Sequence, residues 1–136
     1  MNSPNLMSRL LRCGLRPTAK RLQLAHVLFE GGDKHFTAEQ AHEFARQAGM
    51  KMSQATVYNT LNQFAAAGLL HRISLDGKRT SFDTNTSDHH HLFYESEGRL
   101  VDIPSGQLHV SGLPNLKDGE ALERVDVIVR VSRGAH

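Results

Sequence analysis

The sequence predicts an α+β protein built in two parts. Residues 1–83 hold four stretches with apolar spacing and caps suited to helices, closing in a hairpin pattern. Residues 84–136 hold strand-like runs and little helix. Charge divides along a similar line. Residues 1–80 carry 11 Lys/Arg and 5 Asp/Glu, a balance of +6, whereas residues 81–136 carry 5 and 9, a balance of −4. Two units with different tasks are expected, the basic one suited to an anionic partner.

In chain order, "NLMSRLLRCG" reads as a short helix stopped at Gly14. "LRPTAKRLQLAHVLFEGG" restarts after Pro17 with Thr18 as N-cap, places Leu22, Ala25 and Phe29 on one face, and ends at Gly31-Gly32. "FTAEQAHEFARQAGM" carries the capping-box pattern Thr37-x-x-Gln40 and stops at Gly49. "MSQATVYNTLNQFAAAGL" has Ser53 as N-cap, Gly68 as stop and an apolar stripe of Val57, Leu61, Phe64 and Ala65. Two short helices around a turn at Gly49–Met52 make a helix-turn-helix. "LLHRISL", Asp76-Gly77 and "KRTSFD" then read as a hairpin. A hairpin directly behind a helix-turn-helix is a wing, so residues 1–83 are expected to form a winged-helix domain.

In residues 84–136, "HHLFYE" and "RLVDI" are expected strands around a Ser96-Glu97-Gly98 turn. "PSGQLHVSGL" is expected to open a short helix after Pro104, and "ALERVDVIVRVS" to form a valine-rich strand. Three strands make a sheet that is marginal alone, so a small α/β dimerisation domain and a homodimer are expected.

No apolar run approaches the roughly 20 residues of a membrane span, the N-terminus lacks a long apolar segment of the secretory kind, and a lone cysteine excludes an intramolecular disulfide. A cytoplasmic protein with no membrane partner is expected. Neither an HExxH helix nor a nucleophile motif is present, so an enzyme is not expected.

The second helix of the pair has an outer face without charge. With Val57 buried, Ala55, Thr56, Tyr58, Asn59 and Asn62 spread over that face, near the end that a recognition helix inserts into the major groove. Asn bonds adenine bidentately and a methyl or ring touches the thymine methyl, which predicts an AT-leaning operator in double-stranded DNA. Ser53 belongs to the same end. Phosphate contacts are expected from Arg16, Lys20, Arg21, Lys51, Lys78 and Arg79.

Of nine histidines, His89, His90 and His91 stand in one run. Alternation along an extended segment puts His89 and His91 on one face, roughly 7 Å apart at the backbone, and His90 on the other. Two imidazoles at that spacing converge on one ion and need further ligands, for which Asp83 and His35 are candidates. Imidazole and carboxylate suit Fe(II), Mn(II) or Zn(II). Whether Asp102 shares a face with His90 or with His91 depends on the strand register, because a slip of one residue exchanges faces.

"GLRPTAKRLQLAHVLF", "HFTAEQ", "SQATVYNTLNQFAAAGLL", "GKRTSFDTNTSDHHHLF" and "RLVDI" together resemble the ferric uptake regulator (Fur) family over nearly the whole chain. The resemblance implies a winged-helix repressor dimer on a pseudo-palindromic operator, with metal occupancy setting DNA affinity. It implies a hinge site of His35, Asp83, His89 and His91, a second site of His90 and Asp102, a recognition helix using Thr56, Tyr58 and Asn59, and a minor-groove contact from Arg16. There are departures. Tyr94 and Glu97 stand where many members have a Cys-x-x-Cys for structural zinc, so no such zinc is expected. Asp83 replaces the usual Glu, Asn59 the usual Arg, and Val125 a late histidine, which weakens the second site. The absence of cysteine pairs together with "LRPT", "DGKRTSFDTN" and "HHHLF" is similar to the iron response regulator (Irr) branch. That likeness implies iron- or haem-responsive control of iron homeostasis genes, with His89, His90 and His91 as haem ligands. A divalent-metal Fur repressor or a peroxide sensor of the PerR type is the alternative. Cys13 precedes Gly14 rather than proline and is expected to pack.

Overall fold

The computed structural model describes residues 3–77, 79–87 and 89–133. The chain divides into two compact units at Thr86/Ser87, rather than directly after Asp83.

Among the described residues, the first unit holds four helices and a small sheet. Helix α1 (Ser3–Arg12) buries Leu6 and Leu10, one turn apart. Helix α2 (Ala19–Phe29) starts at Thr18, whose hydroxyl accepts from the Arg21 N–H. After strand β1 (His35–Phe36), helix α3 (Ala38–Gln47) begins with the complete Thr37/Gln40 capping box. Helix α4 (Gln54–Ala66) begins at Ser53, whose oxygen accepts from the Thr56 N–H.

Both helices of the pair end alike. Gly49 and Gly68 take φ +83° and +82°, and the residues after them donate back to Ala45 and Phe64. A side chain at either φ is strained, so glycine sets where each helix stops. Val57, Leu61 and Phe64 of α4 join Leu24, Leu28, Ala41 and Phe82 in one core.

Strands β2 (His71–Ser74) and β3 (Thr80–Asp83) form the hairpin, and β1 adds antiparallel on the far side of β3, giving the order β1-β3-β2. Strand β1, with two residues, is too short to leave a periodic signal in the sequence. It is held by Phe36 stacking on Phe82 at 6.5 Å between centroids. At the turn, the Asp76 carboxylate accepts from the Arg79 N–H and guanidinium, each at 2.8 Å.

Among the described residues, the second unit holds a three-stranded sheet in the order β5-β4-β6. Strands β4 (His90–Tyr94) and β5 (Arg99–Ile103) are antiparallel around the expected turn, while β6 (Ile128–Val131) runs parallel to β4. Phe93 and Leu100 are buried. Two expectations are corrected here. "PSGQLHVSGL" is not helical, because Gly106 and Gly112 take φ +87° and +78° and one turn bond, from the Gln107 N–H to the Pro104 carbonyl, takes the place of a helical ladder. The valine-rich strand is confined to Ile128–Val131, where β4 supplies partners.

Candidate metal centre and nucleic-acid face

In the second unit the β4–β5 register settles the face of Asp102. His91 lies directly opposite it, and His90 lies opposite Ile103. Directly opposed residues share a face. Asp102 therefore joins His91 and His89, and the expected pairing of Asp102 with His90 is corrected.

His91 Nε2 stands 3.2 Å and His89 Nε2 3.5 Å from the same Asp102 Oδ1, and the two rings lie 4.6 Å apart. Both imidazoles are nearly enclosed, with 3% and 8% of their side-chain surface exposed, while Asp102 is half exposed. The three donor atoms fall within 4.8 Å of one another. Ligands about 2.1 Å from a tetrahedral ion stand about 3.4 Å apart, close to these separations. His89 is also oriented. Its Nδ1 lies 2.8 Å from the Ser87 carbonyl, an acceptor, so Nδ1 carries a proton and Nε2 is the nitrogen turned to the carboxylate.

His90 behaves differently. Its Nδ1 accepts from the Val127 N–H at 3.1 Å, which spends the one lone pair a neutral imidazole has. His90 fastens the chain entering β6 and offers an ion nothing without releasing that bond. A cavity of about 90 Å³ adjoins His89 and His90. Enclosed ligand sites run to roughly 300–1,000 Å³, so the histidine run does not fit an enclosed haem.

In the first unit, His35 and His71 both lie opposite Asp83, one on each side of β3. Asp83 is buried, and one of its oxygens accepts from the Asn85 N–H. His71 as a neighbour of Asp83 is not legible in the sequence: counting outward from a two-residue Asp76-Gly77 turn sets His71 opposite Phe82, and the observed register differs from that by one residue.

The outer face of α4 has the exposed Ala55, Tyr58 and Asn59, with Asn62 half buried. Ser53 and Thr56 are engaged with each other, since Ser53 Oγ donates to Thr56 Oγ1 at 2.9 Å and accepts from its N–H. Arg72 of β2 donates to the Tyr58 hydroxyl at 3.4 Å, a neighbour that the helical pattern alone does not disclose. Arg16, Lys20 and Lys51 are exposed. Arg79 is paired to Asp76, which lowers the net charge at the wing tip. Lys78 lies outside the described residues. Arg21 points its two terminal nitrogens at the Arg16 carbonyl and the Gln63 side chain.

Residues 12–124 match the model of the Ferric uptake regulator family. The chain is 31% identical to the ferric uptake regulation protein of Pseudomonas aeruginosa over 102 residues, 74% of this chain and 76% of that protein. To that of Escherichia coli K12 it is 33% identical over 95 residues, 69% and 64%. Among solved structures, the manganese-containing Pseudomonas aeruginosa regulator superposes with a TM-score of 0.73 at 24% identity, over 93% of this chain and 96% of that one. The Vibrio cholerae regulator gives 0.71 at 22%, over 93% and 98%. These two carry the fold. The chain thus belongs to the Ferric uptake regulator family, whose members are DNA-binding, metal-responsive transcription regulators and not enzymes.

Proposed function

We propose that this chain represses transcription as a homodimer whose operator affinity is set by a divalent transition metal held at His89, His91 and Asp102. The observation that carries this reading is the convergence of two nearly enclosed imidazole nitrogens, that of His89 oriented by Ser87, on one carboxylate oxygen. Bound there, an ion neutralises the carboxylate and ties β4 to β5 through His91 and Asp102. Nitrogen and oxygen ligands without sulfur suit Fe(II), Mn(II) or Zn(II). The resemblance adds His35 and Asp83 to the same ion, and that assignment is part of the proposal.

The DNA partner follows from α4. Tyr58 and Asn59 read an AT-leaning half-site, Ala55 leaves room for a thymine methyl, and Arg16 enters the minor groove. Two copies place two such helices on a pseudo-palindrome. Leu113, Leu116 and Leu122 are 48–58% exposed in one protomer, and they support a partner surface in the second unit.

Fluorescence anisotropy on an A·T-rich palindromic duplex tests the proposal. Mn(II) or Zn(II) is expected to shift the affinity at least tenfold, and EDTA to reverse the shift. His89→Ala/His91→Ala is expected to remove the response, and His35→Ala or Asp83→Asn to weaken it. Equal affinity in all metal states refutes the sensor.

Haem sensing of the Irr kind is supported by the likeness of the motifs and opposed by the small cavity and the committed His90 nitrogen. A Soret band that shifts on adding the protein to haem, and is lost in His89→Ala/His91→Ala, restores it. A peroxide sensor is recognised by oxygen added to His89 or His91 after Fe(II) and peroxide, read by mass spectrometry.

A further inference from the structure

The guanidinium of Arg21 touches two places distant in sequence. Nη1 donates to the Arg16 carbonyl at 2.9 Å, and Nη2 donates to Gln63 Oε1 at 3.1 Å. Arg16 lies in the loop between α1 and α2, whereas Gln63 lies on α4, 42 residues beyond Arg21. The Arg16 carbonyl also accepts from the Thr18 N–H at 2.9 Å. A following proline disfavours helical backbone at Arg16. The carbonyl of Arg16 thus takes two hydrogen bonds while the residue is otherwise exposed.

We propose that Arg21 is a positioning residue for DNA reading: a strut that sets the minor-groove arm at Arg16 at a fixed distance from the recognition helix α4. Resting as it does on the reading of Arg16 and α4 given above, the strut changes the role of Arg21 from phosphate contact to internal support. Arginine suits the task. Its planar fork presents two parallel donors in fixed geometry, which the single ammonium of lysine does not reproduce. Arg16 and the exposed face of α4 read neighbouring grooves, so their separation must match the groove spacing. The minor groove distinguishes A·T from G·C by width and by the guanine amino group, both sensitive to a small displacement of an inserted side chain. A strut therefore acts on discrimination, whereas a phosphate contact acts on affinity for every sequence and on salt dependence.

The experiment measures anisotropy of the metal-loaded full chain on three duplexes: the operator, the operator with A·T pairs flanking each half-site changed to G·C, and random sequence. Each is measured across a salt series. Arg21→Lys keeps the charge and loses the fork; Gln63→Ala alters no charge at all. Both are expected to lose about tenfold of the preference for the A·T flank, with random-duplex affinity and salt slope unchanged. The double variant is expected to lose no more than Arg21→Lys alone, since that substitution already removes the contact with Gln63. Arg16→Ala is the reference for the arm.

A wild type indifferent to the flank, or an Arg16→Ala that keeps full discrimination, overturns the minor-groove reading and the strut with it. When both references behave as expected, full discrimination in Gln63→Ala overturns the strut alone. So does a fall in salt slope of about 0.9 per protomer in Arg21→Gln with discrimination intact, the signature of a lost phosphate contact. Gln63 is exposed on α4, so its variant keeps the fold and the test holds even if Arg21 variants are unstable.

Discussion

At the scale of single residues, three adjacent histidines have two chemistries. His89 and His91 present Nε2 to Asp102, and His90 spends its lone pair on the Val127 N–H. Substitution should separate them. His91→Ala is expected to lower Zn(II) or Mn(II) affinity by about 100-fold or more, since losing even an outer-shell partner of a metal ligand costs about 10–100-fold. His90→Ala is expected to leave affinity within about threefold and to loosen β6 instead. Isothermal titration calorimetry gives the first number and hydrogen exchange at Val127–Val129 the second. Equal metal losses in the two variants return His90 to the ligand set. Alternation made the division legible in the sequence. The bond from Val127 was not legible, because it spans 37 residues and depends on β6 docking parallel to β4.

At the scale of elements, caps and turns were readable because they are local. Thr18, Thr37 and Ser53 all cap as the spacing implies. Ser53→Ala is expected to cost about 1 kcal/mol, read as a lower urea midpoint with an unchanged slope. The same change also frees the hydroxyl of Thr56 from its partner, so operator affinity should fall along with stability. The β4–β5 turn carries a pH dependence. Hydrogen bonds from Arg133 first and Arg99 next hold the Glu97 carboxyl below its ordinary value of 4.5. A lowered folded value means that the contribution is full above about 4.5 and is lost as pH falls through the lower folded value. Glu97→Gln should therefore lower the neutral plateau slightly, because these pairs are exposed, and meet the wild-type curve at acid pH, which makes the acid limb shallower. An acid limb identical to the wild type's contradicts this. The failed helix after Pro104 belongs to this scale too. Pro104 was a fair start signal, but two glycines at positive φ override it.

At the scale of the whole molecule, the described residues of the second unit form three strands and leave Leu113, Leu116, Leu122 and Val129 exposed. Sedimentation is expected to give a dimer, and Leu113→Asp/Leu122→Asp to shift it towards monomer while operator affinity drops. A variant that remains dimeric places the partner surface elsewhere. Two docked winged helices should also give a steep salt dependence of operator binding. A slope near zero removes DNA as the partner.

The sequence alone determined what is local or periodic. Helix starts and stops, the hairpin at Asp76-Gly77, the shared face of His89 and His91 and the outer face of α4 all follow from chain geometry within a few residues. The tertiary structure decided what depends on register and on contacts distant in sequence. It assigned Asp102 to His91 rather than His90, set His71 opposite Asp83, and turned Arg21 inward to Arg16 and Gln63. The physical reason is common to all three. A strand shifted by one residue has the same local preferences and the opposite faces, and an arginine at the start of a helix has the same propensity whichever carbonyl it finds. Only packing of the complete chain distinguishes those alternatives.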